Sequence, residues 1–146
     1  MKASGAYVDS CVLLSLLLGD SGYDLAEGWL DRQSDQPLWI SHWVLLEVAG
    51  VIAVCRRRGD ISAAEAERMH DAFEAFRQAR LGLIEPCAED FLQARAWLHE
   101  AEHVALRSGD ALHCAIAKRE QLLLTSADRN LGKAAEQLGV GFALLS

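Results

Sequence analysis

Short apolar runs alternate along this chain of 146 residues with longer segments that have helical periodicity. Such an alternation favours a parallel sheet covered by helices on both faces. Parallel strands are short and mostly apolar because both of their faces are buried, and five segments fit that description: 6–8, 38–41, 81–85, 122–125 and 141–145. The sequence therefore predicts an α/β fold, a three-layer α/β/α sandwich around a five-stranded parallel sheet. A chain of this length normally builds one core, so we expect residues 1–146 to form a single domain.

Local signals also predict two helices and the end of a third. Ser62 and Glu65 have the spacing of a capping box, in which each side chain accepts a hydrogen bond from the other residue's backbone N–H. A second, amphipathic segment has its apolar residues on one stripe, at Phe91, Ala94, Leu98, Ala101 and Ala105. Three arginines at 56–58, followed by Gly59, are typical of a helix end, although arginines also bind phosphate.

Charge and hydropathy argue against several classes of protein. The formal net charge of −7 disfavours binding of nucleic acid through a broad basic surface, but clustered carboxylates that bind divalent cations can still act on nucleic acid. No apolar stretch approaches the ~20 residues that cross a bilayer, and no signal-peptide apolar region is evident. We therefore expect a cytoplasmic protein without membrane contact. The four cysteines form no CxxC pair and are expected to be buried free thiols.

The most apolar helical segment, residues 43–55, contains a single carboxylate, Glu47. An ionised carboxylate is costly to desolvate unless it is paired, bound to a metal or placed beside a water-filled cleft. The residues three and four positions away are Trp43, Val44, Gly50 and Val51, so its own helix offers no partner. The alternative is a side chain that reaches the surface. Glu47 is therefore the strongest single indication of a functional site.

Three aspartates lie where ligand sites of parallel sheets are commonly found. Asp9 ends the first strand, at the carboxyl edge of the sheet, and Asp128 follows a later strand. Asp110 falls in the first turn of a helix. Each has a structural alternative, because Asp9 and Asp128 can cap a helix and Asp110 is favoured by the helix dipole.

These acids lie in four segments: Tyr7-Val8-Asp9-Ser10, Leu46-Glu47, 106–117 and 124–131. In this order, the segments resemble the PIN domain, and most closely the toxin ribonucleases of VapBC toxin–antitoxin modules. The resemblance spans nearly the whole chain and implies the strand order 3-2-1-4-5. It also implies an acidic metal cluster of Asp9, Glu47, Asp110 and Asp128, with Ser10 and Thr125 in support and Ser126 as an alternative to Thr125. Cys11 departs from the family, which commonly has serine or threonine there.

The resemblance implies a metal-dependent endoribonuclease that hydrolyses RNA phosphodiester bonds as the toxin of a type II toxin–antitoxin module. Four carboxylates in one pocket repel one another unless a divalent cation neutralises them. Oxygen ligands favour Mg²⁺ or Mn²⁺ over Zn²⁺. The implied partners are an RNA substrate, a cognate antitoxin and a second copy of the chain in a homodimer. His42 and His113 are available as helpers, although an apolar helix favours a packed, hydrogen-bonded role for His113.

Two other functions remain open at this level. A non-catalytic PIN-like module would bind RNA or protein on the same scaffold, but a repulsive acidic cluster has no physical purpose there. A phosphatase of the haloacid dehalogenase type also places an aspartate after its first strand. It requires a second aspartate two residues later, where this chain has Cys11.

Overall fold

The computed structural model of the protein describes residues 5–100 and 105–146. Across these residues, five strands form one parallel sheet in the order β3-β2-β1-β4-β5. The strands are β1 Ala6–Val8, β2 Leu38–Ser41, β3 Leu81–Ile84, β4 Leu123–Ser126 and β5 Phe142–Leu144. Each matches a predicted strand, with no end displaced by more than one residue. The predicted α/β class, the parallel sheet and the strand order are confirmed.

The described ranges contain seven helices, which connect the strands. They are α1 Ser10–Leu18, α2 Tyr23–Asp31, α3 His42–Arg58, α4 Ala63–Arg80, α5 Ala88–Glu100, α6 Ser108–Glu120 and α7 Arg129–Gln137. Helix α1 packs against α2 and α3, and α3 packs against α4, whereas α5 packs against α6. Right-handed crossovers place helices that follow β1 and β2 on one face and those that follow β3 and β4 on the other. The result is the three-layer sandwich.

The helix ends follow from local sequence. At the start of α4, the Ser62 hydroxyl accepts a hydrogen bond from Glu65 N at 3.0 Å, and Glu65 Oε1 accepts one from Ser62 N at 3.0 Å, so the predicted capping box is confirmed. Helix α3 ends with residues 56–58 in its last turn, where their charges face the negative end of the helix dipole. Gly59 follows with a φ of 81°, a left-handed conformation that glycine adopts without steric cost.

Helix α5 differs from its prediction. Of the predicted stripe, Ala94 is buried as expected, but Phe91 and Leu98 are 51% and 41% exposed. The buried face of α5 instead includes Asp90, and Trp97 packs against the core. The helix ends at Glu100, Ala105 lies outside it, and Ala101 lies outside the described residues. The reason is an ion pair: Arg119 of α6 donates to both carboxylate oxygens of Asp90, at 2.7 and 3.0 Å. The pair holds the Asp90 carboxylate against α6, and Asp90 is therefore on the buried face of α5.

The sheet order places a crevice at the carboxyl ends of β1 and β4. From these two central strands the chain proceeds outwards in opposite directions, which is the switch point where open α/β sheets bind ligands. Tyr7, Ile40 and Leu124 are fully buried in the sheet beneath it. In the described part of the chain, no helix combines the length and apolar character needed to cross a membrane. All four cysteines are free, as predicted, but Cys114 alone is fully buried.

Candidate active site

A cavity of about 470 Å³ opens at the carboxyl edge of the sheet and contains all four predicted acids in its lining. Asp9 follows β1, Glu47 lies on α3, Asp110 lies in the first turn of α6, and Asp128 follows β4. Residues that are distant in sequence therefore meet at the switch point. The lining also includes Ser10, Cys11, Arg107 and Asn130.

Asp9 is buried, with 6% of its surface exposed, yet its side chain does not act as a helix cap. Although Asp9 is the N-cap residue of α1, its carboxylate accepts no capping hydrogen bond among the described residues. Its Oδ2 instead accepts hydrogen bonds from Ser126 Oγ at 2.7 Å and from Cys11 Sγ at 3.2 Å. Burial, followed by the charge of Asp9, raises the pKa of Cys11 to about 12, so the thiol keeps its proton and donates.

Asp128 combines a structural role with a place in the cavity. Its Oδ1 accepts hydrogen bonds from the backbone N–H groups of Asn130 and Leu131, at 2.9 and 3.3 Å, and so caps α7. Ser126 Oγ accepts a hydrogen bond from Asp128 N at 3.0 Å. The Ser126 hydroxyl thus connects the two aspartates that follow β1 and β4.

The pKa of Asp110 reflects its burial and the electrostatic repulsion among the four carboxylates. Burial, followed by the negative charge of Asp9, raises the pKa of Asp110 above its usual value. Asp128 and Glu47 add smaller effects in the same direction, while His113 opposes them. The cavity therefore concentrates the negative charge of four carboxylates, against which the described residues of its lining set one cationic side chain, Arg107.

Glu47 has the partner that its own helix lacks. Its Oε1 accepts hydrogen bonds from Ser10 Oγ at 3.1 Å and from His113 Nε2 at 2.5 Å. His113 lies on α6, 66 positions away in sequence, and the Glu47 side chain is 28% exposed. The carboxylate is therefore held at the cavity wall by two side chains rather than extended into solvent.

His113 was predicted to be a packed, hydrogen-bonded residue, but its bond to Glu47 was not foreseen. It is fully buried, its Nδ1 lies 2.7 Å from the Tyr7 hydroxyl, and that hydroxyl lies 2.7 Å from Ser41 Oγ. The available signal was its position three residues after Asp110, which places both side chains on one side of α6. His42, the other histidine considered, is exposed at the start of α3.

The structure distinguishes the two hydroxyl residues that end β4. Thr125 is buried, and its hydroxyl donates to the carbonyl of Leu123 at 3.1 Å, within its own strand. Ser126 points the other way, because successive residues of a strand face opposite sides, and it reaches Asp9. Ser10 contacts Glu47 as described above. Ser126 rather than Thr125 is thus in contact with the acids.

The donor set fits a hard divalent cation. One ligand atom from each of Asp9, Glu47 and His113 lies within 4.8 Å of the others, and Asp110 and Asp128 line the same cavity. His113 Nε2 is engaged by Glu47 at 2.5 Å and is 3.8 Å from Asp9 Oδ1. The groups that face the cavity are therefore mainly carboxylate oxygens, which bind Mg²⁺ and Mn²⁺ in preference to softer metals.

Comparison with solved structures shows the same fold. A chain in the crystal structure of VapBC2 from Rickettsia felis, bound to a promoter DNA fragment, is 14% identical at a TM-score of 0.75; the alignment covers 99% of this chain and 100% of that one. The sarcin–ricin loop cleaving toxin VapC20 of Mycobacterium tuberculosis is 20% identical at a TM-score of 0.67, and the alignment covers 88% of this chain and 94% of VapC20. A chain of FitAcB from Neisseria gonorrhoeae is 19% identical at a TM-score of 0.68, and the alignment covers 94% of this chain and 95% of that one. At such identities the similarity concerns the fold alone.

Family membership comes from the sequence match. A search of curated proteins finds no match. The PIN domain family model, however, matches residues 6–137, which include every strand but the last and all four acids of the cavity. Because that match extends over most of the sequence and agrees with the order of the sheet, the chain belongs to the PIN domain family.

Proposed function

We propose that this protein is a metal-dependent endoribonuclease and the toxin of a type II toxin–antitoxin module of the VapBC kind. The observation that carries the proposal is the convergence of Asp9, Glu47, Asp110 and Asp128 on one cavity. Membership of the PIN domain family and the fold shared with VapC20 support it. The haloacid dehalogenase alternative is not retained, because that enzyme class does not belong to this family.

The four carboxylates would hold Mg²⁺ or Mn²⁺. When bound, such a cation polarises the scissile phosphate, activates water and stabilises the leaving oxygen. Ser126 fixes Asp9 and Ser10 fixes Glu47 through the hydrogen bonds described above. Carboxylate oxygens of the cluster also accept hydrogen bonds from the attacking water and direct it towards phosphorus.

Arg107 is the residue best placed to contact the RNA backbone. It is the N-cap residue of α6, is exposed, and is the one lysine or arginine among the described residues that line the cavity. A guanidinium presents a planar fork of donors that matches phosphate oxygens. The overall charge of −7 disfavours a broad electrostatic footprint, so binding would depend on a few such contacts.

The proposed partner is an antitoxin that neutralises the acids, for instance through an arginine that reaches the cavity. Support comes from the neighbours, since VapBC2 of Rickettsia felis was solved as a complex bound to promoter DNA. The homodimer stays a prediction. Co-expression of the chain with the product of the adjacent gene, followed by purification through a tag on one protein, tests whether such a complex forms.

The decisive experiment is cleavage of defined RNAs by the purified protein with MnCl₂ or with EDTA. We expect cleavage with Mn²⁺, none with EDTA, and a loss of at least about 10²-fold in Asp9→Asn, because removal of one charged ligand weakens cation binding. Asp71→Asn is the matched control, since Asp71 is exposed on α4 and lies outside the cavity lining. Equal cleavage by wild type and Asp9→Asn would contradict the proposal. Cation binding without cleavage would instead favour the non-catalytic module.

A further inference from the structure

A buried row of hydrogen bonds connects the interior of the sheet to the acidic cavity. It begins at Ser41 at the end of β2, continues through the Tyr7 hydroxyl of β1 and the imidazole of His113, and ends at Glu47 Oε1. Ser41, Tyr7 and His113 are each fully buried. Most buried polar groups in proteins are hydrogen-bonded, and this row satisfies the polar side-chain atoms of Ser41, Tyr7 and His113 in turn.

With Glu47 ionised, as a cation ligand must be, and His113 neutral, the groups give the row a single direction. An ionised carboxylate only accepts hydrogen bonds, so His113 Nε2 donates to Glu47. In a neutral imidazole Nδ1 then accepts, and the Tyr7 hydroxyl donates to it. Burial raises the pKa of Tyr7 far above its usual value, so this hydroxyl keeps its proton. Ser41 completes the row by donating to Tyr7.

The row also restrains how the imidazole is oriented. The rings of Tyr7 and His113 meet edge to face, with centroids 5.5 Å apart and planes inclined by 61°. The other oxygen of Glu47, Oε2, lies beside Gly109, where a Cβ atom would sit 3.2 Å from it. Glu47 therefore has one oxygen held by hydrogen bonds, while the other lies beside the start of α6, where Gly109 has no side chain to crowd it.

We propose that His113 is a positioning residue, which orients the Glu47 carboxylate towards the cation, and that Tyr7 and Ser41 fix the tautomer and ring plane of His113. The inference rests on the proposed function in one respect, the binding of a divalent cation in the cavity. Residues that hydrogen-bond metal ligands typically change metal affinity about 10- to 100-fold when they are replaced. Ser10 donates to the same oxygen of Glu47 over a longer distance, 3.1 Å against 2.5 Å for His113.

The test is calorimetric titration of the full chain with MnCl₂. In His113→Leu an apolar side chain occupies the buried position but offers no hydrogen-bond donor to Glu47. We expect the Mn²⁺ association constant to fall about 10- to 100-fold. His113→Gln restores a donor near the position of Nε2 and should recover much of the affinity. Tyr7→Phe removes one hydroxyl and should give a smaller loss. Asp90→Asn is the control: it breaks a buried ion pair away from the cavity, so it should lower stability and leave Mn²⁺ affinity unchanged.

A spectroscopic measurement separates positioning from direct ligation by His113. Pulsed electron paramagnetic resonance of Mn²⁺ bound to the wild type should show no coupling to a directly bonded imidazole nitrogen. Such a coupling would overturn the inference, as would unchanged Mn²⁺ affinity in both His113→Leu and Tyr7→Phe. If His113→Leu does not fold in a metal-free melting experiment, Tyr7→Phe and His113→Gln decide the matter.

The outcomes also distinguish the two proposals. Cleavage of RNA by the wild type together with unchanged affinity in the variants would leave the proposed function intact and refute the role of His113. Mn²⁺ binding that depends on His113, without RNA cleavage, would support the role of His113 and refute the proposed ribonuclease activity. A wild type that does not bind Mn²⁺ would refute both.

Discussion

At the scale of single residues, the cavity is built from acids that are stabilised in different ways. Asp9 is held by two donors, Glu47 by His113 and Ser10, and Asp128 by the helix that it caps. Asp110 has a raised pKa, because burial and the charge of Asp9 both disfavour its ionised form. The free energy of unfolding of the protein should therefore depend on pH and on bound cations.

Asp110→Asn should stabilise the metal-free protein at neutral pH. A carboxyl group whose pKa is raised on folding favours the native state below its ordinary pKa, and that contribution is lost as the pH rises through the raised value. The amide carries no charge, so the variant avoids this loss. We expect a higher urea midpoint than wild type at pH 7 in EDTA, and a difference that disappears below the ordinary carboxyl pKa of 3.8.

Asp71→Asn, on the exposed face of α4, provides the control for that comparison and should leave the urea midpoint nearly unchanged at both pH values. An Asp110→Asn protein that is less stable than wild type at pH 7 would show that the carboxylate makes favourable contacts in the absence of metal.

Arg107→Ala should weaken RNA binding with little effect on the fold. Loss of one phosphate contact to a single strand reduces the slope of log K against log salt by about 0.7. We expect a raised KM for RNA cleavage and a shallower salt dependence. Arg58→Ala is the matched control, since Arg58 is exposed in the last turn of α3 and outside the cavity lining. An equal effect of both substitutions would contradict a specific role for Arg107.

At the scale of elements, the site depends on where helices begin. Asp110 lies in the first turn of α6, Asp128 is the residue that caps α7, and Glu47 lies on α3 about one turn after its start. The position of α6 is in turn connected to α5 by the pair of Asp90 and Arg119. Although burial alone would raise it, the pKa of Asp90 lies below its usual value, because Arg119 and the N–H of Cys87 hydrogen-bond the carboxylate.

Arg119→Met should therefore destabilise the protein strongly. The substitution leaves the carboxylate of Asp90, which is 1% exposed, without its cationic partner. Leaving a buried charge unpaired in this way costs about 3 kcal/mol of the free energy of unfolding. Urea denaturation at pH 7 measures it. Because the pKa of Asp90 is lowered on folding, the contribution of the pair is present above the ordinary carboxyl pKa and is lost as the pH falls through the lowered value.

Arg77→Met serves as the comparison, because its partner Glu74 on α4 has a side chain that is 51% exposed, whereas Asp90 is buried. Exposed pairs of this kind contribute little, so we expect almost no change in stability. Similar losses in both variants would indicate that the Asp90 pair does not anchor α5 to α6.

At the scale of the whole molecule, the sheet order makes one site out of four distant segments. Strands β1 and β4 are adjacent although more than 100 residues separate them, with Val8 paired to Thr125. We propose that residues 1–146 form a single domain. On this basis the metal-free protein should unfold in one transition, with coincident curves from far-ultraviolet circular dichroism and tryptophan fluorescence.

Addition of MnCl₂ should then raise the stability of the whole domain. A cation at 100 times its dissociation constant adds about 2.7 kcal/mol to the free energy of unfolding when it binds only the native state. Asp9→Asn should lose this increase. Two separated transitions would contradict the single domain, and an equal increase in Asp9→Asn would place the bound cation elsewhere.

Local sequence was sufficient for the strands and the α4 capping box, whereas the strand order and the grouping of the four acids came from the resemblance to the PIN domain. The strands and the cap reflect hydrophobic periodicity and hydrogen bonds between residues close in sequence, while the resemblance rests on four short motifs in a fixed order. Hydrophobic periodicity misplaced part of the buried face of α5. Asp90 lies on that face because it pairs with Arg119, which is 29 positions further along the chain.

Tertiary structure alone decided that His113 supports Glu47 and that Ser126, rather than Thr125, supports Asp9. His113 reaches Glu47 across 66 positions, and Ser126 reaches Asp9 across 117. Neither contact leaves a periodic trace in the sequence, because it exists only after the sheet has brought β1 beside β4 and α6 beside α3. The chain thus encodes locally which residues can carry the chemistry, while the packing of distant elements determines which of them touch.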